Sequence, residues 1–189
     1  MNPGRLAALI CSFALGACTY VTVPAPLGDI PAPIEPKEWN GHWVLNRDAV
    51  GHILVTDPER GALELSWIRE TKLEFGRRRA ELVRGEVVLR RMGEVLIASL
   101  RLRDEERYLF FALARDGERT TLWFPDPECI ETQLKTGALS GRTLRAGHGT
   151  ELALLGLDPA RAVSREPGTC HIFAWHKPHV ARRPPSLEN

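Results

Sequence analysis

Cys170, His171, His176 and His179 place a thiol and three imidazoles close together near the C-terminal end of the chain. These side chains ligate transition metals, and a thiol beside a neutral imidazole can act as a nucleophile. On an extended segment the set does not converge. His171 and His179 share a face about 26 Å apart at about 3.3 Å per residue, and His176 points the other way, so only a bend, as at Pro178, would gather them. Solvated histidines are the expectation and no metal is assigned. Cys129, the other cysteine of this half of the chain, leaves three readings for the pair it forms with Cys170: a disulfide, two buried thiols, or a Cys170 nucleophile beside His171. No Cys-x-x-Cys, Gly-x-Ser-x-Gly elbow, glycine-rich phosphate loop or His-Glu-x-x-His is present. No catalytic residue and no cofactor is therefore assigned, and the expected class is a non-enzymatic protein.

The remaining cysteines, Cys11 and Cys18, lie in and just after an apolar run from Leu6 to Leu15 that follows Arg5 and the amino terminus. A positive end, a short apolar stretch and small residues at Gly16 and Ala17 are the parts of an export signal. The run is shorter than the about 20 apolar residues that a membrane-spanning helix needs. Its last residues, Leu15, Gly16, Ala17 and Cys18, resemble the lipobox of bacterial lipoproteins. That resemblance implies removal of residues 1–17, attachment of palmitate-type acyl chains to Cys18 and anchoring in a membrane without a spanning helix. Two or more inserted chains give stable anchoring, each buried methylene contributing about 0.8 kcal/mol. Thr19, rather than Asp, after the cysteine implies sorting to the outer membrane, facing the periplasm. An ordinary secretory signal cut after Ala14 or Ala17 is the alternative, with Cys18 left as a thiol.

In an exported protein Cys129 and Cys170 meet an oxidising space, where an even pair is most simply a disulfide. Composition suits an exported folded domain: 43% hydrophobic and 26% charged residues. Removing the leader takes Arg5 from the 25 basic residues, leaving 24 against 24 acidic ones. A near-neutral domain has no broad electrostatic reason to bind nucleic acid. The arginine runs Arg77 to Arg79 and Arg90 to Arg91 are diluted by Glu74, Glu81, Glu86 and Glu94. They are expected on solvated hairpins, with a polyanion such as lipopolysaccharide phosphate as the other reading.

Pro24, Pro26, Pro31, Pro33 and Pro36 punctuate the stretch after Cys18. Proline fixes φ and removes a donor, so residues 18–37 are expected to form an extended tether holding the domain on the order of 50 Å from the lipid. Residues 181–189, with Pro184 and Pro185, are expected to be a disordered tail, leaving one domain over 38–180.

Within that domain the period is two. Leu63, Leu65 and Trp67 alternate with Glu64 and Ser66; Leu96, Ala98, Leu100 and Leu102 alternate with Ser99, Arg101 and Arg103. Both read as half-buried antiparallel strands. Further strands are expected at Trp39 to Leu45, Gly51 to Asp57, Arg79 to Arg84, Glu86 to Arg91, Tyr108 to Arg115 and Glu118 to Phe124, with a tight hairpin at Asp116 and Gly117. Asp126 and Pro127 start a short helix carrying Cys129, Ile130, Leu134 and Leu139 on one face. A strand over Leu139 to Arg145, a helical turn over Asp158 to Ser164 and a closing strand over Thr169 to Lys177 complete the reading. The fold class is mainly β: an antiparallel up-and-down barrel or curled meander with one or two short helices near the C-terminal end.

Gly41, His42 and Trp43 on the first strand of that meander, preceded by Trp39, are similar to the opening of lipocalins and related calycin barrels. The resemblance implies that Trp43 plugs the closed end and that an arginine from the last strands packs across it, with Arg142, Arg145, Arg182 and Arg183 as candidates. The second lipocalin motif, with its Thr-Asp-Tyr pattern, is not present. Gly41, Trp43, Trp67, Phe111 and Phe124 are the candidates for closing the barrel or lining a ligand. An eight-stranded barrel either fills with side chains or holds one small ligand. The first case makes a structural or interaction lipoprotein that contacts another envelope component; the second makes a binder of a small apolar or amphipathic molecule, the reading preferred from sequence.

Overall fold

The structure, a computed structural model, describes residues 18–45, 49–72, 78–146, 149–158, 170–175 and 177–184. The leader lies outside the described residues, as does the turn expected over Asp158 to Ser164 beyond Asp158 itself.

The chain begins with strand β1 (Cys18–Val23), the short β2 (Ile30–Pro31) and a one-turn helix α1 (Pro36–Trp39). A meander follows: β3 (Gly41–Leu45), β4 (Ala49–Asp57), β5 (Ala62–Lys72), β6 (Arg78–Met92), β7 (Val95–Leu102), β8 (Tyr108–Asp116) and β9 (Arg119–Trp123). Helix α2 (Pro127–Lys135), the hairpin β10 (Gly141–Ala146) and β11 (Gly149–Leu154), and finally β12 (His179–Arg182) complete the order. Each strand from β3 to β9 pairs antiparallel with the next, and β12 closes the ring: Arg182 sits opposite Val44 of β3 and Arg119 of β9. The expected antiparallel up-and-down barrel is therefore closed, with eight strands and a calycin-like architecture.

Alternation sorts the side chains. Leu63, Val87, Leu89, Ala98 and Leu100 point inward and are 1 to 6% exposed. Two glycines make room for the packing: a Cβ on Gly85 would lie 2.6 Å from a Leu100 methyl, and one on Gly51 would lie 3.1 Å from a Leu65 methyl. Gly85 is thus an interior position of one long strand, not the turn expected between two shorter ones.

Outside the barrel a second core lies against β7, β8 and β9. There Ile97, Phe110 and Ala112 meet Val21 and Val23 of β1, Ile130 of α2, Leu152 and Leu154 of β11, and Ile172 and Phe173. These barrel strands are buried on both faces, which is why Ser99, expected on the solvent side, is fully buried and accepts a hydrogen bond from Leu27 N at 3.0 Å.

Residues 18–37 are not a tether. β1 is an interior strand of the β10–β11–β1–β8 sheet, parallel to β11 from Cys18↔Gly149 to Thr22↔Ala153 and antiparallel to β8 at Thr22↔Leu109 and Val23↔Tyr108. From Val23 the chain crosses the outer face of β7 and pairs along β6 at Ile30↔Arg91 and Pro31↔Arg90. It then passes beneath the barrel, where Ala32 N donates to Leu89 O and Ile34 N to Pro58 O. The prolines suit a strap that needs extended backbone and few donors. Gly61, at φ +64°, is required beneath it, because a Cβ there would collide with the Ala32 and Leu89 carbonyls.

The C-terminal expectations shift as well. Residues 170–175 form no strand beyond the Pro125↔Phe173 bridge, because Ile172 and Phe173 are drawn into the second core. The closing strand is β12, so the first residues of the expected tail, Ala181 and Arg182, are part of the barrel, and Arg183 N donates to Glu118 O at 3.0 Å.

Candidate functional site

The barrel has two unlike ends. One is closed by the strap and α1, whose first turn starts with Pro36. Trp39, at the end of α1, is 7% exposed and joins the interior cluster with Ala32. Gly41, at φ +122°, turns the chain from helix to β3, and Trp43 is 5% exposed with its Nε1 donating to Trp39 O at 2.8 Å. Gly41 and Trp43 thus sit at the end that the strap and α1 cover.

The arginine stacked on the tryptophan rings is not one of the four candidates, although the Arg183 guanidinium lies against Gly41. Arg115, near the end of β8, stacks 5.0 Å from the Trp39 ring and 5.9 Å from the Trp43 ring. Its fork donates to Glu38 Oε2 at 2.8 Å and to Glu38 O at 2.9 Å. A planar guanidinium can lie on an indole and hold a carboxylate at once. Arg183 is an outer clamp, donating to Lys37 O at 2.8 Å, while Arg142 and Arg182 lie exposed on β10 and β12. For Arg145 only the backbone pairing with Thr150 is described.

The opposite end carries the other lining candidates. Trp67 shares its register with Gly51 and Val83, faces inward and stays half-buried. Phe111 and Phe124 pack with ring centroids 5.7 Å apart, and the His179 ring meets Phe124 edge-on at 5.0 Å. Burial lowers the His179 imidazole below its ordinary value. Two residues further along β5, Arg69 pairs with Glu81 of β6 at 2.9 Å. Trp67, Phe111 and Phe124 are all half-buried and give this end an apolar rim.

Beside this end, where β1 parts from β8, a polar knot ties the strap. Thr22 Oγ1 donates to Glu151 at 2.6 Å and accepts from Arg107 Nε at 2.8 Å, and Arg107 reaches Leu154 O at 2.6 Å. Burial, then Glu151 and Asp104, raises the Glu105 carboxyl, and burial with Glu151 and Glu105 raises the Tyr20 hydroxyl. Tyr20 and Thr22 of β1 are thus held by Glu151, and Thr22 also by Arg107.

Cys129 and Cys170 are joined by a disulfide with Cα atoms 5.5 Å apart. Asp126 caps α2 by accepting from Glu128 N and Cys129 N, and so presents Cys129 to Cys170. An open groove of about 440 Å³ runs beside the bond between Asp126, Thr132 and His171. His179 lies on β12 rather than in this groove, and His176 is outside the described residues. Among the described residues no group of three or more His, Cys, Asp or Glu side chains is arranged to hold a metal.

The outer wall holds a feature that alternation concealed. Val44 pairs with Val50, Ile68 pairs with Leu82, and Val50 lies one step beyond the Gly51↔Trp67 pair, alongside Ile68. All four point outward. Val50, Ile68 and Leu82 are 53, 69 and 55% exposed, and Leu54 on the same face of β4 is 49% exposed. At about 4.8 Å between strands the row runs roughly 14 Å across β3 to β6. The signal was readable: Val50, Ile68 and Leu82 sit at the polar phase of strands whose inward phase is already apolar.

By fold the chain is an eight-stranded antiparallel barrel with a plugged end, a strapped flank and one apolar outer row. No protein-family model matches it, and neither a curated protein nor a solved structure does.

Proposed function

We propose that this protein is a lipid-anchored component of the bacterial cell envelope that docks another envelope protein through the outer face of β3 to β6. The observation that carries the reading is the in-register row of Val44, Val50, Ile68 and Leu82. Isolated exposed apolar residues are ordinary, whereas a contiguous strip on a sheet face marks contact with another surface. Leu65 and Leu100 fill the space left beside Gly51 and Gly85, which narrows the barrel interior there and supports an interaction role. The lipobox-like Leu15 to Cys18 supports the anchor, and Thr19 rather than Asp after the cysteine supports the outer membrane as its site.

A second reading rests on the half-buried Trp67 with Phe111 and Phe124. They offer a shallow seat for a small apolar or amphipathic molecule.

The test is photo-crosslinking in intact cells, with benzoylphenylalanine at Ile68 and, as control, at the exposed Glu64 of the same strand. The expected result is a discrete adduct from Ile68 alone that disappears with Leu82→Asp. An adduct of twice the chain mass makes the partner a second copy. No adduct above the Glu64 control, together with a small molecule retained in native mass spectrometry, overturns docking in favour of the rim.

A further inference from the structure

We infer that the lipid anchor leaves the barrel no spacer, so that the turn end of the β10–β11 hairpin rests directly on the bilayer while the apolar row faces away from it. The inference rests on the anchor reading of Cys18 and concerns what that anchor does to the fold.

Cys18 would be the first residue of the processed chain, and it is already the first residue of β1, opposite Gly149. Gly149 in turn pairs with Ala146 across the turn end of the hairpin. Neither β1 nor the strap can peel away to supply length. Thr22 and Val23 are 1 and 0% exposed, and the strand is held between β11 and β8. The acyl chains therefore attach at the edge of folded structure, and the headgroup layer must meet the Ala146 and Gly149 end of the hairpin. The other end, at Gly141 and Leu154, lies five residues further along, about 16 Å away at about 3.3 Å per residue.

Ring order gives the orientation of the apolar row. β1 and β11 extend the sheet from β8, and in the closed ring β8–β7–β6–β5–β4–β3–β12–β9 the strand four places from β8 in both directions is β4. Val50 and Leu54 are on β4, Ile68 is on the adjacent β5 and Leu82 is on β6, one strand further round. The bilayer cannot cover that wall and the anchored flank together, so the row is open to a partner in the aqueous space.

Neutron reflectometry on the acylated, signal-processed chain in a supported bilayer tests this, after the mass of its N-terminal peptide has been measured. The expected result is an acylated Cys18 and a protein layer continuous with the headgroups. An insertion of 18 Gly/Ser residues between Cys18 and Thr19 should open a water layer of roughly 20 Å. Acylated protein standing tens of ångströms off the bilayer without the insertion overturns direct seating and leaves the anchor intact. An N-terminal peptide without acyl mass overturns the anchor and this inference with it.

Discussion

Removing residues 18–34, so that the chain starts at Glu35, should abolish the native fold. Were the segment a tether, the deletion would change nothing but distance from the membrane. In the structure it withdraws Tyr20, Val21, Val23 and Leu27, which are 3, 4, 0 and 8% exposed, and Ala32 from beneath the barrel. Burying a large apolar side chain is worth about 1.5 to 3 kcal/mol, so the four larger ones amount to roughly 6 to 12 kcal/mol. An extended-chain reference makes that an upper figure. Domains are stable by only about 5 to 15 kcal/mol, so the loss is comparable to the whole. The deletion also strands Glu151 and Arg107 without Thr22 and leaves the outer faces of Ile97 and Phe110 uncovered.

Near-ultraviolet circular dichroism and urea unfolding of the shortened chain, compared with one starting at Cys18→Ser, provide the assay. The longer chain should unfold cooperatively and the shorter should show neither native signal nor a cooperative transition. Val23→Ala gives a graded version: two lost carbons and the cavity they leave cost about 2 kcal/mol, or roughly 4 to 8 °C in Tm. A Glu35-start chain with the same midpoint and slope as the longer one would refute the strap.

Arg115→Ala removes the guanidinium from two indoles and from Glu38, and should lower Tm by roughly 4 to 8 °C, for a loss of about 2 kcal/mol. Arg115→Lys should not restore it, since an ammonium cannot stack and fork together; an unchanged Tm in a thermal scan would mean that tryptophan packing alone holds the closed end. For His179, burial depresses the folded-state pKa, so its contribution is complete above about pH 6.5 and is lost as pH falls through the lower folded value. Glu105 acts with the opposite sign: its raised carboxyl contributes fully below the ordinary carboxylate range, and that contribution is lost as pH rises through the folded value. Urea midpoints at pH 7.5 and 5.5 should therefore differ less in the acid-destabilising direction for His179→Gln than for the natural chain, and identical pH dependence in both would exclude His179 as the source.

The barrel was legible because its information is local. Leu63, Leu65 and Trp67 against Glu64 and Ser66 declare a face by period two, and Asp116 with Gly117 declares a turn, without reference to any other part of the chain. The disulfide was legible as a pairing because only two cysteines remained for an oxidising space. What local pattern could not carry was non-local cover. Ser99 reads as solvent-facing until Leu27, 72 residues away, is known to lie across it. Trp67 and Phe111 could be assigned to the interior by phase, but phase does not say that Leu65 and Leu100 take the room left beside Gly51 and Gly85.

The strap shows why proline content alone misleads. Five prolines between Cys18 and Lys37 argue for extended backbone, and extended backbone is what the structure contains. Extended backbone need not be solvated. Tyr20, Val21 and Val23 already form an apolar strand-like run ahead of the first proline, and a tether has no use for such side chains. A segment that cannot donate a full ladder of hydrogen bonds can still be held tightly where its non-proline residues are buried, as Leu27 and Ala32 are. The decisive quantity is thus the apolar area between the prolines. By that measure the residues adjoining Cys18 belong to the fold, and a lipid at Cys18 would be attached to the barrel's own sheet.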